Sequence, residues 1–380
     1  MANLQGQAVW VMAKGYAPDE GGMQTYSRAV SEAYAAQGAL VTVFTRTSAG
    51  PRDAQVGPVR VVDVGPQRGW RMYLRVARAL RRERRSQGAP TLLHGTTWKT
   101  CVMPRLLGLA YVTTFHGREL LRTRGWRRAL MAWIARGARC TVAVSHYTAQ
   151  VLRQRITGLR QPPVVAWNGV TAGLLRGEGM AGEPLLFTVC RMEPRKNLRA
   201  AIEAAAACRR EGLGFRYVLA GRGDEQDALR ALIERHNLGD VVELAGFIDQ
   251  GRAVQLYRDA DIFIHPQISL DDGRDFEGFG IAIADAMYAG TAVIAGRDGG
   301  TRELVEDGVS GLLVNGRDQS EVTAALRRLL RDASLRQSLA SAAALRAERE
   351  FRWDRHVATI LEALPQGLRE RSLRQEKSTV

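Results

Sequence analysis

Residues 275–290 read DFEGFGIAIADAMYAG, the densest concentration of possible chemistry in the chain. Glu277 precedes two glycines, Gly278 and Gly280, that flank Phe279. An apolar run opening at Ile281 then carries a second acid, Asp285. Glycines let a backbone approach a ligand closely. A helix that starts just after them aims unpaired N–H groups, and the positive end of its dipole, at whatever sits there. Phosphate suits such a place. A carboxylate before the turn and another two helical turns later can grip neutral hydroxyls beside it. That combination fits a nucleotide sugar, with hydroxyls at both ends and a diphosphate between. It also fits a strand-to-helix turn that only packs, so the rest of the chain has to decide.

Three further clusters carry charge or glycine at predicted strand ends. In RMEPRKN, Arg191 and Lys196 lie on one side of a turn, where two cations neutralise a diphosphate leaving group. Gly21 and Gly22 follow the first strand and open the first helix, with N–H groups available to a diphosphate. The GxGxxG pattern is missing, so a nicotinamide cofactor is not supported and no cofactor is expected. His116, in HGRE, sits at a strand end beside a glycine, where an imidazole can hydrogen-bond a sugar hydroxyl without titrating. The remaining histidines, His94, His146, His236, His265 and His356, show no metal spacing. Asp271 and Asp272 read as solvated loop acids, and no metal is expected.

The elements that must position these residues alternate. Short apolar runs at 9–12, 40–44, 59–64, 91–94, 111–115 and 141–144 read as buried strands. Amphipathic runs at 24–36, 70–85, 119–134 and 147–155 read as helices between them. A glycine-rich, aperiodic stretch at 168–183 marks a domain boundary. Strands at 185–189, 216–220, 241–244, 261–265, 292–295 and 312–314 follow. Helices at 197–210, 225–236, 252–258 and 281–288 separate them, and three more at 320–331, 334–350 and 354–364 close the chain. Strand–helix alternation implies an α/β fold of parallel sheets covered on both faces. Two such domains in series make a cleft, and ligands in these sheets bind at the carboxyl ends of strands.

The 380 residues suffice for two ordinary domains, and 24% charged with 46% hydrophobic residues is ordinary globular composition. The balance is not: 54 basic against 39 acidic residues give a net charge of +15, which implies an anionic partner. Nucleic acid, phosphorylated substrate and anionic membrane all qualify. No helix-turn-helix, zinc finger or RNA-binding aromatic motif is evident, so nucleic acid is not expected. Arg68, Arg71, Arg75, Arg78, Arg82 and Arg85 step by three or four and share one helical face. A second basic run holds Trp126 and Trp133. Basic faces beside Trp suit an anionic membrane surface, or stay solvated. Cys101, Cys140, Cys190 and Cys208 are far apart, which points to a reduced, cytoplasmic setting. Neither a signal peptide nor a transmembrane helix is expected.

Six stretches in order carry a resemblance: VSHYTAQVL, WNGV, RMEPRKN, AGRG, EGFGIAIAD and GGTRELVEDGVSGLLV. With FRWDRHVATIL near the end, they resemble the GT-B glycosyltransferases, specifically the large retaining group called glycosyltransferase family four. EGFGIAIAD resembles its E-x7-E motif. The resemblance implies two Rossmann-like doubly wound domains facing a central cleft. Residues 1–170 would form the acceptor domain and 171–350 the nucleotide-sugar domain, with a helix at about 351–380 packing back onto the first. It implies that Glu277 holds donor-sugar hydroxyls and that the Gly278–Ile281 backbone meets the phosphates, with Arg191 and Lys196 at the diphosphate. His116 would touch the donor sugar, and Gly22 would lie near the diphosphate and the acceptor. Gly221, in AGRG, would belong to the same donor site, and Phe247 would edge the base. Asp285 stands where the family has its second Glu, which holds ribose. It is one methylene shorter.

The implied reaction is transfer of a hexose from a UDP- or GDP-linked sugar to a saccharide or lipid-linked acceptor in cell-envelope glycan synthesis, with retention and without a metal. The enzyme would be cytoplasmic, peripheral on the inner face of the membrane. A small aglycone as acceptor, a GT-B-like epimerase or phosphorylase, a silent scaffold and a basic nucleic-acid binder are the competing readings.

Overall fold

The computed structural model describes residues 4–19, 21–67, 69–174, 177 and 182–364. Arg68, part of the boundary stretch and the tail of the expected 351–380 helix lie outside them. The chain divides into two compact units, one running to Gly169 and resuming at Trp353, the other Val170–Arg352.

The first unit opens with β1 (Ala8–Met12), α1 (Gly22–Ala36), β2 (Leu40–Thr45), β3 (Arg52–Val56) and β4 (Val59–Asp63). Next come α2 (Trp70–Gln87), β5 (Leu92–Gly95), α3 (Val102–Leu106) and β6 (Val112–Phe115). The stretch ends with α4 (Arg118–Arg122), α5 (Trp126–Gly137), β7 (Cys140–Ala143), α6 (His146–Arg155) and β8 (Val164–Val165). The second unit holds β9 (Leu185–Val189), α7 (Leu198–Arg210), β10 (Arg216–Ala220), α8 (Gln226–Arg235) and β11 (Val242–Gly246). It continues with α9 (Gln250–Asp259), β12 (Ile262–His265), α10 (Ile281–Tyr288), β13 (Ala292–Gly296) and β14 (Leu312–Val314). Helices α11 (Gln319–Arg331) and α12 (Ala333–Glu350) complete it, and α13 (Trp353–Glu362) belongs to the first unit.

In the first unit the sheet order is β3-β4-β2-β1-β5-β6-β7-β8, parallel except for the β3–β4 hairpin. In the second it is β11-β10-β9-β12-β13-β14, parallel throughout. Successive strands leave β1 in one direction and restart at β5 in the other, and β9 and β12 do the same. Those reversals are the switch points where doubly wound sheets bind ligands. The central strands bury both faces: Phe263 and Ile264 of β12 and Val293 and Ile294 of β13 are fully buried. The alanine-rich face of α7 (Ala201, Ala204 and Ala205, all fully buried) lets that helix lie close on its sheet.

Two expectations are corrected. The helix expected over 119–134 is two helices, because Gly125 adopts φ +58° between α4 and α5 and starts a new one. Strand β3 was not expected, since RDAQV has no apolar alternation. It is an edge strand whose middle residues are exposed, so nothing required apolar side chains.

Candidate active site

In the second unit the site gathers at the carboxyl ends of β9 and β12. Pro194 opens a short 3-10 turn, Pro194–Lys196, which Asn197 ends in the left-handed conformation at φ 53°. The turn points Arg195 inward, 5% exposed, and brings Lys196 beside it. Both cations donate to the same oxygen, Oε2 of Glu277. Arg195 is further held by Glu193 at 3.5 Å and Asp275 at 3.4 Å. Burial alone would raise the Glu277 carboxyl, but Lys196 and Arg195 outweigh it and hold the group well below the usual carboxylate range. Arg191 lies apart: its side chain is 76% exposed and pairs with Glu193.

Gly278 and Phe279 lead into α10. Phe279 is buried edge-on against Phe351 at 5.7 Å between ring centroids. Gly280 caps the helix at φ +97°, where a Cβ would also sit 2.9 Å from the Thr301 side chain. Ile281 is the first helical residue, so the first-turn amides open beside Glu277. Gly300 N–H donates to the Glu277 carbonyl at 2.8 Å, fixing the turn from the other side. Behind it His265, buried, donates Nδ1–H to Gln267 at 2.9 Å, and Gln267 donates in turn to the Gly296 carbonyl at 2.7 Å. Burial, with Lys196 nearby, pushes the His265 ring down to about 3, so it is neutral.

Asp285, expected at ribose hydroxyls, is 4% exposed, and both its oxygens accept from Thr171: the backbone N–H at 2.7 Å and the hydroxyl at 2.6 Å. Burial pushes this carboxyl up to about 7, with the Thr171 bonds holding it back. Gly221 ends β10 where a Cβ would fall 1.8 Å from the Cys190 carbonyl, so only glycine fits. Phe247 is 52% exposed, with the Arg222 guanidinium 5.8 Å above its ring.

In the first unit the corresponding strand ends bring together Lys14, Gly21, Gly22, Thr96 and His116. Helix α1 begins at Gly22 with Gly21 as its cap. Lys14 N–H donates to the Thr96 hydroxyl at 3.2 Å. His116 donates Nε2–H to the Thr96 carbonyl at 2.8 Å, which leaves Nδ1 as the acceptor nitrogen. Its own N–H is held by Glu119 at 2.7 Å. Burial lowers the His116 pKa, so the ring is neutral. Tyr26 packs edge-on to it at 4.7 Å and bonds Thr114 and His356 of α13 at 2.9 and 3.0 Å. On the outer helices, Arg71, Arg75 and Arg78 are exposed, as is Trp126 at 71%.

Sequence reasoning missed Arg195, Lys14 and Thr96. Arg195 was hidden by its neighbours, since two of the three cations in RMEPRK, Arg195 with Lys196, are turned towards Glu277 by a turn at a proline that a strand-end reading treats as punctuation. Lys14, two residues past β1, was legible from its place at a switch-point strand end. Among the described residues no group of three His, Cys, Asp or Glu side chains could hold a metal ion, and no helix is long and apolar enough to cross a membrane.

Two doubly wound units, each with its charged loop at the switch point, define a GT-B protein. HepE from Anabaena, solved with UDP-glucose, matches with a TM-score of 0.75 at 20% identity, covering 94% of this chain and 99% of its own. The description Glycosyltransferase Family 4 matches residues 20–173, and Glycosyl transferases group 1 matches residues 178–346. With one match in each unit, and most of the chain covered by the two, the chain belongs to this glycosyltransferase family. The amylovoran biosynthesis glycosyltransferase AmsK of Erwinia amylovora is 34% identical over 186 residues, 48% of this chain and 46% of that protein. The chain thus spans about half the length of the curated relatives it matches at this level of identity. A D-inositol 3-phosphate glycosyltransferase of Arthrobacter is 29% identical, covering 91% of this chain and 90% of its own.

Proposed function

We propose that this protein transfers a hexose, with retention, from a UDP- or GDP-linked sugar to a saccharide or lipid-linked acceptor in the synthesis of cell-envelope glycan or polysaccharide. The observation that carries this reading is the Glu277 carboxylate, held ionised by Lys196 and Arg195 beside the first turn of α10. Ionised, it accepts from donor-sugar hydroxyls, while Lys196 and the α10 amides lie where a diphosphate would need them. Cleavage of the sugar–phosphate bond develops negative charge on the diphosphate, and these donors stabilise it without a divalent ion. Retention in glycosidases uses a carboxylate nucleophile. Glu277 is a poor one, since two cations share its oxygen. The reading is therefore front-face attack, with the leaving phosphate taking the acceptor proton. His116, neutral, offers Nδ1 to a sugar hydroxyl. Similarity to AmsK, whose name places it in amylovoran biosynthesis, supports a polysaccharide product. HepE, solved with UDP-glucose, supports a uridine-linked donor.

The exposed Trp70 and Trp126 beside the arginines of α2 and α5 support a peripheral position on an anionic membrane surface, on the cytoplasmic side. A panel of UDP- and GDP-sugars with saccharide and polyprenyl-linked acceptors, read by mass spectrometry and by NMR at the new anomeric carbon, tests the reaction. A product of inverted configuration, or activity that EDTA abolishes and manganese restores, overturns it.

A further inference from the structure

The first unit holds a second charged place, at the β3–β4 edge of its sheet, in the angle between that hairpin and α2. A cavity of about 420 Å³ opens there. Helix α2 lines it with Arg75, Arg78 and Arg82, which at spacings of three and four share one face, and the hairpin adds Arg52, Asp53 and Asp63. Four guanidinium groups against two carboxylates leave two positive charges in excess.

The two acids are already committed. Asp53 takes a bidentate pair from Arg60 at 2.8 and 2.9 Å and a further bond from Arg82 at 3.1 Å. Asp63 is buried and accepts from the Thr47 and Gly65 backbone N–H groups, at 3.1 and 2.7 Å, and from the Thr47 hydroxyl. Donors are left over. Arg52 gives Nη2 to the Ala17 carbonyl at 2.7 Å, while its Nε–H is buried with no partner. Arg75 directs one N–H to the Val64 carbonyl at 3.0 Å. Arg78 has no hydrogen bond or ion pair among the described residues. A buried guanidinium N–H without an acceptor is costly, and an incoming oxygen relieves that cost.

We propose that this cavity binds a single phosphate group, with Arg52, Arg78 and Arg82 donating to its oxygens. A phosphate monoester carries between about one and a half and two negative charges near neutrality, which matches the excess, and its oxygens suit guanidinium forks arriving from two sides. A carboxylate brings half the charge and fewer oxygens. Among the described residues no aromatic side chain lines the cavity, so a nucleobase has nothing there to stack on. The phosphate comes from a lipid headgroup or from a soluble phosphate ester. For the lipid source alone, the inference rests on the membrane reading given above and sharpens it from a diffuse basic face to one headgroup site.

Hydrogen exchange of the full chain, read by mass spectrometry, tests this with inorganic phosphate and, separately, with phosphatidylcholine vesicles with and without phosphatidic acid. Phosphate should slow exchange in peptides spanning 52–63 and 70–87. Arg52→Gln and Arg78→Gln should each weaken phosphate binding there about tenfold. Arg71→Gln, on the same helix but outside the cavity, should not. Peptides spanning 185–196 and 277–288 report phosphate at the donor site separately, so failure of either site is visible by itself. Arg78 has no partner to lose among the described residues, and an unchanged melting midpoint of Arg78→Gln without phosphate secures the comparison. Protection by phosphatidic acid vesicles that needs Arg52 assigns the headgroup, and protection by free phosphate alone assigns a soluble ester. The proposal is overturned if neither probe protects these peptides, or if Arg71→Gln weakens binding as much as Arg52→Gln does.

Discussion

Replacing Glu277 by Gln removes one negative charge from a place where two cations converge. Gln keeps the side chain's shape and one acceptor oxygen, so the loss is electrostatic. Stripping the acid from a buried pair costs about 3–5 kcal/mol when the remaining charge is uncompensated. Arg195 is not fully stranded, because Glu193 and Asp275 stay within 3.5 Å. About half that range, roughly 2 kcal/mol, is the expected loss. In a unit of this size it lowers the melting midpoint by about 4–8 °C. The pH dependence gives the sharper test. Glu277 has a folded pKa far below its ordinary 4.5, so its contribution is full above that value and fades as pH falls towards the folded one. The stability gap between wild type and Glu277→Gln should be constant at neutral pH and shrink below about pH 4.5. Urea unfolding across that range measures it, and transferase turnover of the same samples should fall by at least about a hundredfold. A gap that stays constant down to pH 3, or that never opens, refutes the assignment of Glu277 as an ionised carboxylate shared by Lys196 and Arg195. Near wild-type turnover refutes its role with the donor.

Lys196→Ala should slow transfer by roughly two to three powers of ten, and Arg191→Ala by much less, because Arg191 is exposed and paired with Glu193; steady-state kinetics of the two variants decide it. Asp285 runs opposite to Glu277: with a folded pKa of about 7 against 3.8, its stabilisation is full below about pH 4 and lost as pH rises through 7. Asp285→Asn should therefore lose that trend relative to wild type in unfolding curves, and an unchanged trend would show that Asp285 is not the group responsible. His94, His265 and His356 are buried and neutral, pushed down by burial to about 3, 3 and 4. These three should lower stability as pH drops below 6.5 with a slope approaching roughly three protons near pH 5, offset by about one from Asp285, so melting curves at successive pH values should fall more steeply for Asp285→Asn than for wild type.

The sheet strands were legible because parallel strands buried on both faces need unbroken apolar runs, and residues 185–189, 262–265 and 292–295 have them. Glu277, Gly280 and Ile281 were legible for a related reason: an acid, a glycine turn and a helix start occupy adjacent positions in sequence. What escaped depends on partners far along the chain. The sequence around Asp285 does not show that Thr171, 114 residues earlier, donates to both its oxygens. Arg195 and Arg191 are chemically the same side chain. Only the turn at Pro194 decides which one faces Glu277. Edge strand β3 had no hydrophobic face to betray it.

The hydrogen bond from Tyr26 to His356 spans 330 residues of sequence, and Val357, Ile360 and Leu361 fill the same core as Val9, Tyr26 and Val30. During synthesis, then, the amino-terminal unit is made first but stays incomplete. Its core lacks a wall until α13 has left the ribosome. The unit spanning 170–352 has no such dependence, because every one of its strands is in hand before α13 is translated. The usual order, in which the leading domain folds first, is thereby inverted for its final step. Closing so long a loop adds little entropy beyond that of a shorter one, so the delay is one of timing rather than of stability. A nascent chain arrested before residue 353 should expose the apolar flank of α1 to chaperones while its trailing unit is already protease-resistant.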